Sequence, residues 1–340
     1  MPIESNNRVG ATDLFLPRLG FGAAPLGGFR GKIQESEVNE ILQTAFDHNV
    51  TYFDTSPYYG YGRSELRIGN FLRELPRRSY VLSTKIGRWL EPLNFNSSAT
   101  DLRQGGLPFQ PQFDYSAEGT FKSLEQSMMR LGISEIDILY IHDVDVFTHG
   151  SEKAADQRYE EVLRGCYPAL EKLRSQGVIK AVGIGLNENE RSLRFLRDTD
   201  IDCILLAGRY TLLEQESLSS LLPECIRKNV SIIIGGPFNS GVLATGLSKN
   251  AKYDYGEIPN HIALRVLALQ AVCQRFEVSL IAAALQFPLA HPTVVSVIPG
   301  AMNKNEQMVN IWAMKEKIPK EFWQELKSQR LIREDAPVPK

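Results

Sequence analysis

Four residues of this chain, Asp54, Tyr59, Lys85 and His142, have the types and the setting to move a proton. The stretch YFDTSPYYGYGRSE, residues 52–65, opens on apolar residues suited to a buried strand. It places Asp54 where that strand would end and continues into a Pro/Tyr/Gly loop with Tyr58, Tyr59 and Tyr61. A lysine closes VLSTK and a histidine closes ILYIH, each at the end of another apolar run. An unperturbed tyrosine ionises near pH ~10, too high for a base at neutral pH. An ammonium beside it favours the phenolate, and a carboxylate beside that ammonium keeps it charged and oriented. A histidine can position the substrate oxygen, so the proton passes between that oxygen and the phenol. If such chemistry is redox it needs a hydride partner, which implies a nicotinamide cofactor. Each residue also has a plain structural reading when taken singly: a turn aspartate, a solvent-facing lysine, a satisfied buried histidine, a packing tyrosine. Tyr58 and Tyr61 are expected to pack.

Strands and helices must bring these four together. Apolar runs at Leu19–Gly22, Thr51–Asp54, Tyr80–Lys85, Ile136–His142, Val178–Leu186, Ile201–Leu206, Ser231–Ile234 and Val294–Ile298 read as strands buried on both faces. Helical spacing follows at Glu37–His48, Ser64–Leu75, Ser116–Leu131, 159–176, Glu188–Arg197, Glu216–Lys228, 261–275, 279–287 and Asn305–Met314. Alternation of this kind implies a parallel sheet, and eight such units imply a (β/α)8 TIM barrel in one domain, residues 1–340. A short N-terminal hairpin is expected across Arg8–Gly10 and Leu14–Pro17, and an extra C-terminal helix over Lys320–Ile332. Trp89–Asp114 reads as a long polar loop, broken by Gly105, Gly106, Pro108 and Pro111. An open doubly wound sheet is disfavoured: the first strand leads into GFGAAPLGG rather than GxGxxG, and Gly183-Ile184-Gly185 lies mid-chain without the third glycine. In a barrel the strand ends share one mouth, so Asp54, Lys85 and His142 converge there with Tyr59.

Composition narrows the class. At 43% apolar the chain has material for a sizeable core, and a net charge of −2 gives no bias toward nucleic acid or an anionic membrane. No apolar run reaches spanning length, and MPIESNNRVG lacks the pattern of a signal peptide. Cys166, Cys203, Cys225 and Cys273 are widely spaced without CxxC, as expected of reduced core cysteines in a cytoplasmic protein. His48, His142, His149, His261 and His291 offer no HxH or HxxxH pair, so no metal site is expected.

FDTSPYYGYGRSE, LSTKIGR, ILYIHD and VIPGAMNKNEQMVN, in this order on an eightfold alternation, resemble the aldo/keto reductase superfamily over residues about 8 to 315. The resemblance implies a catalytic tetrad of Asp54, Tyr59, Lys85 and His142, with Tyr59 as proton donor or acceptor. GGLPFQPQFDYS (105–116), HDVDVFTHG (142–150), GIGLNENE (183–190), LLAGRYTLLEQE (205–216) and GGPFNSGVLATG (235–246) are similar to its NAD-linked sugar dehydrogenases. These are the D-threo-aldose 1-dehydrogenases, including L-fucose and L-galactose dehydrogenases, and pyridoxal 4-dehydrogenase is similar at the same segments. By that resemblance Asn187 holds the nicotinamide carboxamide and Tyr210 stacks on its ring. Phe238, Ser240 and Gly241 lie along the pyrophosphate, Gly300, Met302 and Glu306 near the adenosine ribose, and Asn310 by the adenine.

Two departures bear on the cofactor. Ala207 stands where many members carry a glutamine, so Asn187 is expected to act without it. Met302 stands where NADP-dependent members offer a base, and Glu306 would accept bonds from a ribose diol and repel a phosphate. NAD is therefore expected, with Lys304 a nearby cation that works against this reading. The expected activity is oxidation of the anomeric carbon of a free aldose to its lactone, with Tyr59 as base. The alternatives are pyridoxal oxidation to the lactone, NADPH-dependent carbonyl reduction, and a non-catalytic nucleotide-binding subunit. Substrate choice is expected to lie in Trp89–Asp114 and Asp143–Asp156, with Trp89, Phe109 and Phe113 available to stack on a ring.

Overall fold

The computed structural model describes residues 6–28, 31–93, 105–249 and 251–340. Eight strands run parallel in chain order: β1 (Phe21–Gly22), β2 (Tyr52–Asp54), β3 (Val81–Ile86), β4 (Ile138–His142), β5 (Ala181–Leu186), β6 (Cys203–Ala207), β7 (Ser231–Gly235) and β8 (Val294–Ile298). Residues just before β1 close the ring onto β8: the Gly20 amide donates to Val297 O at 2.9 Å, and the Val297 amide donates to Arg18 O at 2.9 Å. The expected (β/α)8 barrel is what the chain forms. Nearly every strand residue is buried, which is why the runs are continuously apolar rather than alternating.

The hairpin pairs Asn7–Arg8 with Phe15–Leu16 and carries Val9, Leu14 and Leu16 into one apolar cluster with Ile138, Ala181, Cys203, Leu205, Ile233 and Val295. It plugs the lower end of the barrel. Asn7 Nδ2 donates to Val295 O, and the Gly10 amide to Ser231 Oγ, so the plug is bonded as well as packed. The second and larger core lies between the strands and the outer helices, including Glu35–Asp47, Arg63–Leu72, Ala117–Leu131 and Asn260–Phe276. The final helix, Lys320–Ser328, buries Phe322, Trp323 and Leu326.

Two expectations need correction. The segment after β3 is not simply a loop: Arg88–Pro92 pairs antiparallel with Phe109–Phe113. The prolines and glycines of this stretch masked its pairing, since Pro111 sits opposite Leu90 on a two-stranded ribbon where no N–H is needed from it, Leu90 bonding Gln126 instead. Residues 94–104 of the expected loop, and 1–5 at the amino end, lie outside the described residues. The helix expected over 159–176 begins earlier, at Glu152, and passes through a π turn at Val162–Cys166 before Tyr167–Ser175. Pro168 lacks the N–H that an α-helix would use there, and the π turn accommodates it.

Candidate active site

β2, β3 and β4 deliver their last polar residues to the same mouth. Asp54 ends β2 directly opposite Ser83 on β3, and Lys85 lies two residues further along, on the same face of the strand. Lys85 Nζ donates to Asp54 Oδ2 at 2.7 Å and to Thr55 O at 2.8 Å. Ser83 Oγ donates to Asp54 Oδ1 at 2.7 Å. Since Ser83 spends its proton on the carboxylate, Tyr52 must donate to Ser83 (3.0 Å), and Tyr140 to Tyr52 (3.0 Å). A buried chain of hydroxyls thus runs from the barrel interior up to Asp54.

Tyr59 comes from the loop after β2. Its amide donates to Ser56 O and its carbonyl accepts from the Ser64 amide, which ties the loop to the following helix. Gly60, at φ +65°, has its Cα side against the backbone of Gly27, where a Cβ would meet Gly27 O at 2.1 Å. This close approach presses the loop onto the segment after β1. The Lys85 ammonium stands 4.7 Å from the centre of the Tyr59 ring, and the His142 ring lies edge-on to Tyr59 with centroids 6.2 Å apart. The four expected residues are therefore brought together.

Electrostatically the site differs from what Lys85 alone would give. Burial pushes the Tyr59 phenol well above its ordinary value, the charges of Asp54 and Asp143 and the neighbouring Tyr255 add to this, and Arg88 opposes it. Burial also raises the Asp54 carboxyl, against the pull of Lys85. His142 is driven well below the usual histidine range by burial, helped by Arg88 and Lys85, so its ring is neutral. Tyr115 donates to His142 O at 2.7 Å and so pins the end of β4.

Several polar residues of the mouth escaped the reading of the chain. Arg88, three residues past Lys85, is buried against His142 and Asp143. Asp143 follows His142 at φ +54°. Tyr255 stacks on Phe147 with centroids 6.3 Å apart, and it bonds the side chain of Asn187. Arg209 Nε donates to Asn187 O at 2.7 Å and pairs with Asp254. The sequence signal for Arg88, Asp143 and Arg209 was position just beyond a strand end, which many surface residues share; Tyr255, in the segment before the helix Asn260–Phe276, had not even that.

The other side of the mouth is built of small residues. Gly185 lies against His142 and Lys85, and a Cβ there would come 3.6 Å from His142 Cδ2. Ala207, Gly208, Gly235 and Gly236 continue the shelf along β6 and β7. A Cβ on exposed Gly236 would meet only Gly208 N, at 3.7 Å. With the Asn187 amide beside it, this shelf fits a flat ring that carries a carboxamide. After β7, Asn239, Ser240 and Gly241 all have positive φ, and Asn239 fastens this turn to Thr211 and to Gly208 O. Ser240 Oγ accepts from the Tyr255 amide at 2.9 Å, and Phe238 packs partly into the core.

Tyr210 is not on this shelf. It is 0% exposed and lies in the core against Phe287 and His291, with centroids at 5.4 and 5.8 Å. The chain turns at Gly208 (φ +68°), which leaves Arg209 at the mouth and sends Tyr210 behind it. The expected ring stack therefore has no face to use.

Gly300 lies where a Cβ would collide with Pro25 Cγ at 2.5 Å and Gly22 O at 2.8 Å, so its smallness serves packing between β1 and β8. Asn303 caps the helix Lys304–Lys315, its side chain accepting from the Glu306 amide. The Glu306 carboxylate accepts from the Met302 amide at 2.9 Å and from Asn303 Nδ2 at 3.2 Å. Both of its oxygens are thus already engaged at that corner. Lys304 lines an outer groove with Asn39, Gln43 and Asp47. Asn310 is buried one helical turn on.

The aldo/keto reductase family model matches residues 18–330. The chain is 38% identical to pyridoxal 4-dehydrogenase of Microbacterium luteolum over 334 residues, which span 95% of this chain and 97% of that protein. It is 37% identical to D-threo-aldose 1-dehydrogenase of a Pseudomonas species over 333 residues, 95% of this chain and 96% of that one. Among solved structures, an aldo-keto reductase from Bacillus halodurans in its holo form superposes with a TM-score of 0.75 at 22% identity, covering 98% of both chains, a likeness of fold.

Proposed function

The chain belongs to the aldo/keto reductase family, and from that premise we propose that it oxidises the anomeric carbon of a free aldose to the lactone with NAD as acceptor. The observation that carries this reading is the cluster of Tyr59, Lys85, Asp54 and His142 at the barrel mouth, beside the small-residue shelf. When bound, the oxidised nicotinamide would accept the hydride leaving the anomeric carbon and would bring a positive charge to the mouth. The residues that would hold it are Asn187 and the shelf for the ring, the turn Phe238–Gly241 for the pyrophosphate, and Met302 to Asn310 for the adenosine.

The chain's own groups handle the proton. Tyr59 takes the hydroxyl proton of the hemiacetal as the new C=O forms. Lys85, ion-paired with Asp54, stabilises the phenolate that accepts it. Neutral His142 holds the same oxygen in line for the transfer. Met302, together with the charge of Glu306, favours a ribose diol over a phosphate at the adenosine end, which supports NAD over NADP.

Pyridoxal is the second reading, favoured by the 38% relative and by the aromatic walls of Tyr58, Phe113, Phe147 and Tyr255. As a cyclic hemiacetal it would undergo the same oxidation. The test is NAD⁺ reduction measured with L-fucose, L-galactose, D-arabinose and pyridoxal. Turnover with a sugar and lactone as product is the expected result. Turnover with pyridoxal alone would move the assignment to the second reading, and no reduction with any of them would reject both.

A further inference from the structure

Arg88 is buried beside the tetrad, yet the proton transfer described above does not use it. Its guanidinium lies between Tyr58 and Phe113, 4.3 and 4.5 Å from the ring centres. Nη2 donates to Asp143 Oδ2 at 2.6 Å, and Nη1 stands 3.2 Å from His142 Nδ1. A guanidinium has donors and no acceptor, and it does not give up its proton in a protein. The Nη1–Nδ1 hydrogen bond can therefore run only from Arg88 to His142, and Nδ1 must carry its lone pair. The proton of the neutral ring then sits on Nε2.

The groups facing this ring agree with that assignment. Ser56 Oγ lies 3.4 Å from Nδ1 and can donate to it. Lys85 and Arg88 are the neighbouring cations, and Tyr59 presents a ring face. Among the described residues Asp143 is the one anion in direct reach, with Oδ1 3.2 Å from Nε2. Left to itself, that carboxylate would favour an imidazolium. Arg88 takes its other oxygen and neutralises it.

We propose that Arg88 is a positioning residue that fixes His142 as the neutral Nε2–H tautomer, holding Asp143 so that this N–H is offered to the substrate oxygen that exchanges its proton with Tyr59. The role rests on the reading of His142 as the residue that touches the reacting oxygen. Arg88→Met removes both hydrogen bonds and leaves Asp143 facing Nε2 without its partner.

The test is nuclear magnetic resonance of protein labelled at the imidazole nitrogens, with the His142 signals identified by their loss in His142→Gln. It needs no substrate. The resting wild type is expected to show a protonated Nε2 and a bare Nδ1 that do not titrate from about pH 8 down to 5.5. Arg88→Met is expected to show His142 titrating above about pH 6, with loss of the single tautomer. Its kcat/KM should gain an acid limb, falling ~10-fold between about pH 8 and 6 relative to wild type. Arg88→Lys, which keeps a donor and the charge, should retain the wild-type tautomer, and it serves if the methionine variant fails to fold. A protonated Nδ1 in the wild type, or an unaltered His142 in folded Arg88→Met, overturns the proposal. Spectra as expected in an enzyme that oxidises no hemiacetal would support the tautomer role and reject the substrate reading, so the two failures are distinct.

Discussion

Ser83 donates its hydroxyl to Asp54 Oδ1 at 2.7 Å, across the same strand pair that brings Lys85 to Oδ2. Both oxygens of this buried carboxylate are filled from one face of β3. In Ser83→Ala, Asp54 Oδ1 loses its donor in a site closed to water, at a cost of about 1–3 kcal/mol. A lower urea midpoint is expected, together with a several-fold fall in kcat and little change in substrate KM. Wild-type kcat would mean that Lys85 keeps Asp54 in place unaided.

Tyr59→Phe removes one oxygen from the mouth and keeps the ring beside Lys85. The loss of a positioned acid–base group corresponds to ~100- to 10,000-fold in kcat. Cofactor binding, followed by fluorescence quenching, should be unchanged. Because burial holds the phenol protonated at neutral pH, wild-type oxidation should speed up as the pH rises into the alkaline range. Undiminished turnover by the variant would remove Tyr59 from the chemistry.

Tyr210→Phe separates packing from stacking. The hydroxyl of Tyr210 has no hydrogen-bond partner among the described residues, while the ring packs on Phe287 and His291. Stability should stay level or rise by about 1 kcal/mol, since a buried unsatisfied group is removed. The KM for NAD should not move. A marked rise would show that Tyr210 turns outward to meet the cofactor.

Met302→Arg adds a guanidinium at the corner held by Glu306. A charge-assisted bond to a 2′-phosphate is worth about 1.5–3 kcal/mol. The ratio of kcat/KM for NADP to that for NAD should therefore rise ~10- to 100-fold. Initial rates with both cofactors measure it, and an unchanged ratio would place the ribose away from Met302.

His291 gives the stability of the fold a pH dependence. Burial lowers its pKa to about 4, and Thr293 Oγ1 lies 2.8 Å from Nδ1. Unfolded, it titrates near ~6.5. Between these values the unfolded chain binds a proton that the folded chain refuses. The contribution of this group is therefore fully present above about pH 6.5 and is lost as the pH falls toward 4. Urea midpoints measured over that range should fall less steeply in His291→Gln than in the wild type.

The barrel could be read from the chain because its strands are buried on both faces, which leaves eight unbroken apolar runs. The tetrad could be read because Asp54, Lys85 and His142 each end such a run, where a parallel barrel gathers polar side chains. Arg88 and Asp143 could not be read in this way. Each lies one or two residues past a strand end, and its direction depends on the antiparallel ribbon after β3 and on the positive φ of Asp143. Tyr210 was misplaced because Gly208 turns the chain there by a backbone angle that sequence spacing does not encode. Glu306 was legible as a charge; its engagement by the Met302 amide and the Asn303 side chain follows from the way the chain enters this helix.

The hydroxyl chain from Tyr140 through Tyr52 and Ser83 donates upward at every link and starts in the cluster plugged by Val9, Leu14 and Leu16. It is a ladder with its foot in a sealed cellar, where Tyr140 and Tyr52 are both 0% exposed. Protons collected by Tyr59 must therefore leave by the doorway that admits substrate and releases product. Proton traffic and cargo traffic share one exit, and the Phe147–Tyr255 pair stands at its threshold. Whatever crowds that threshold slows both.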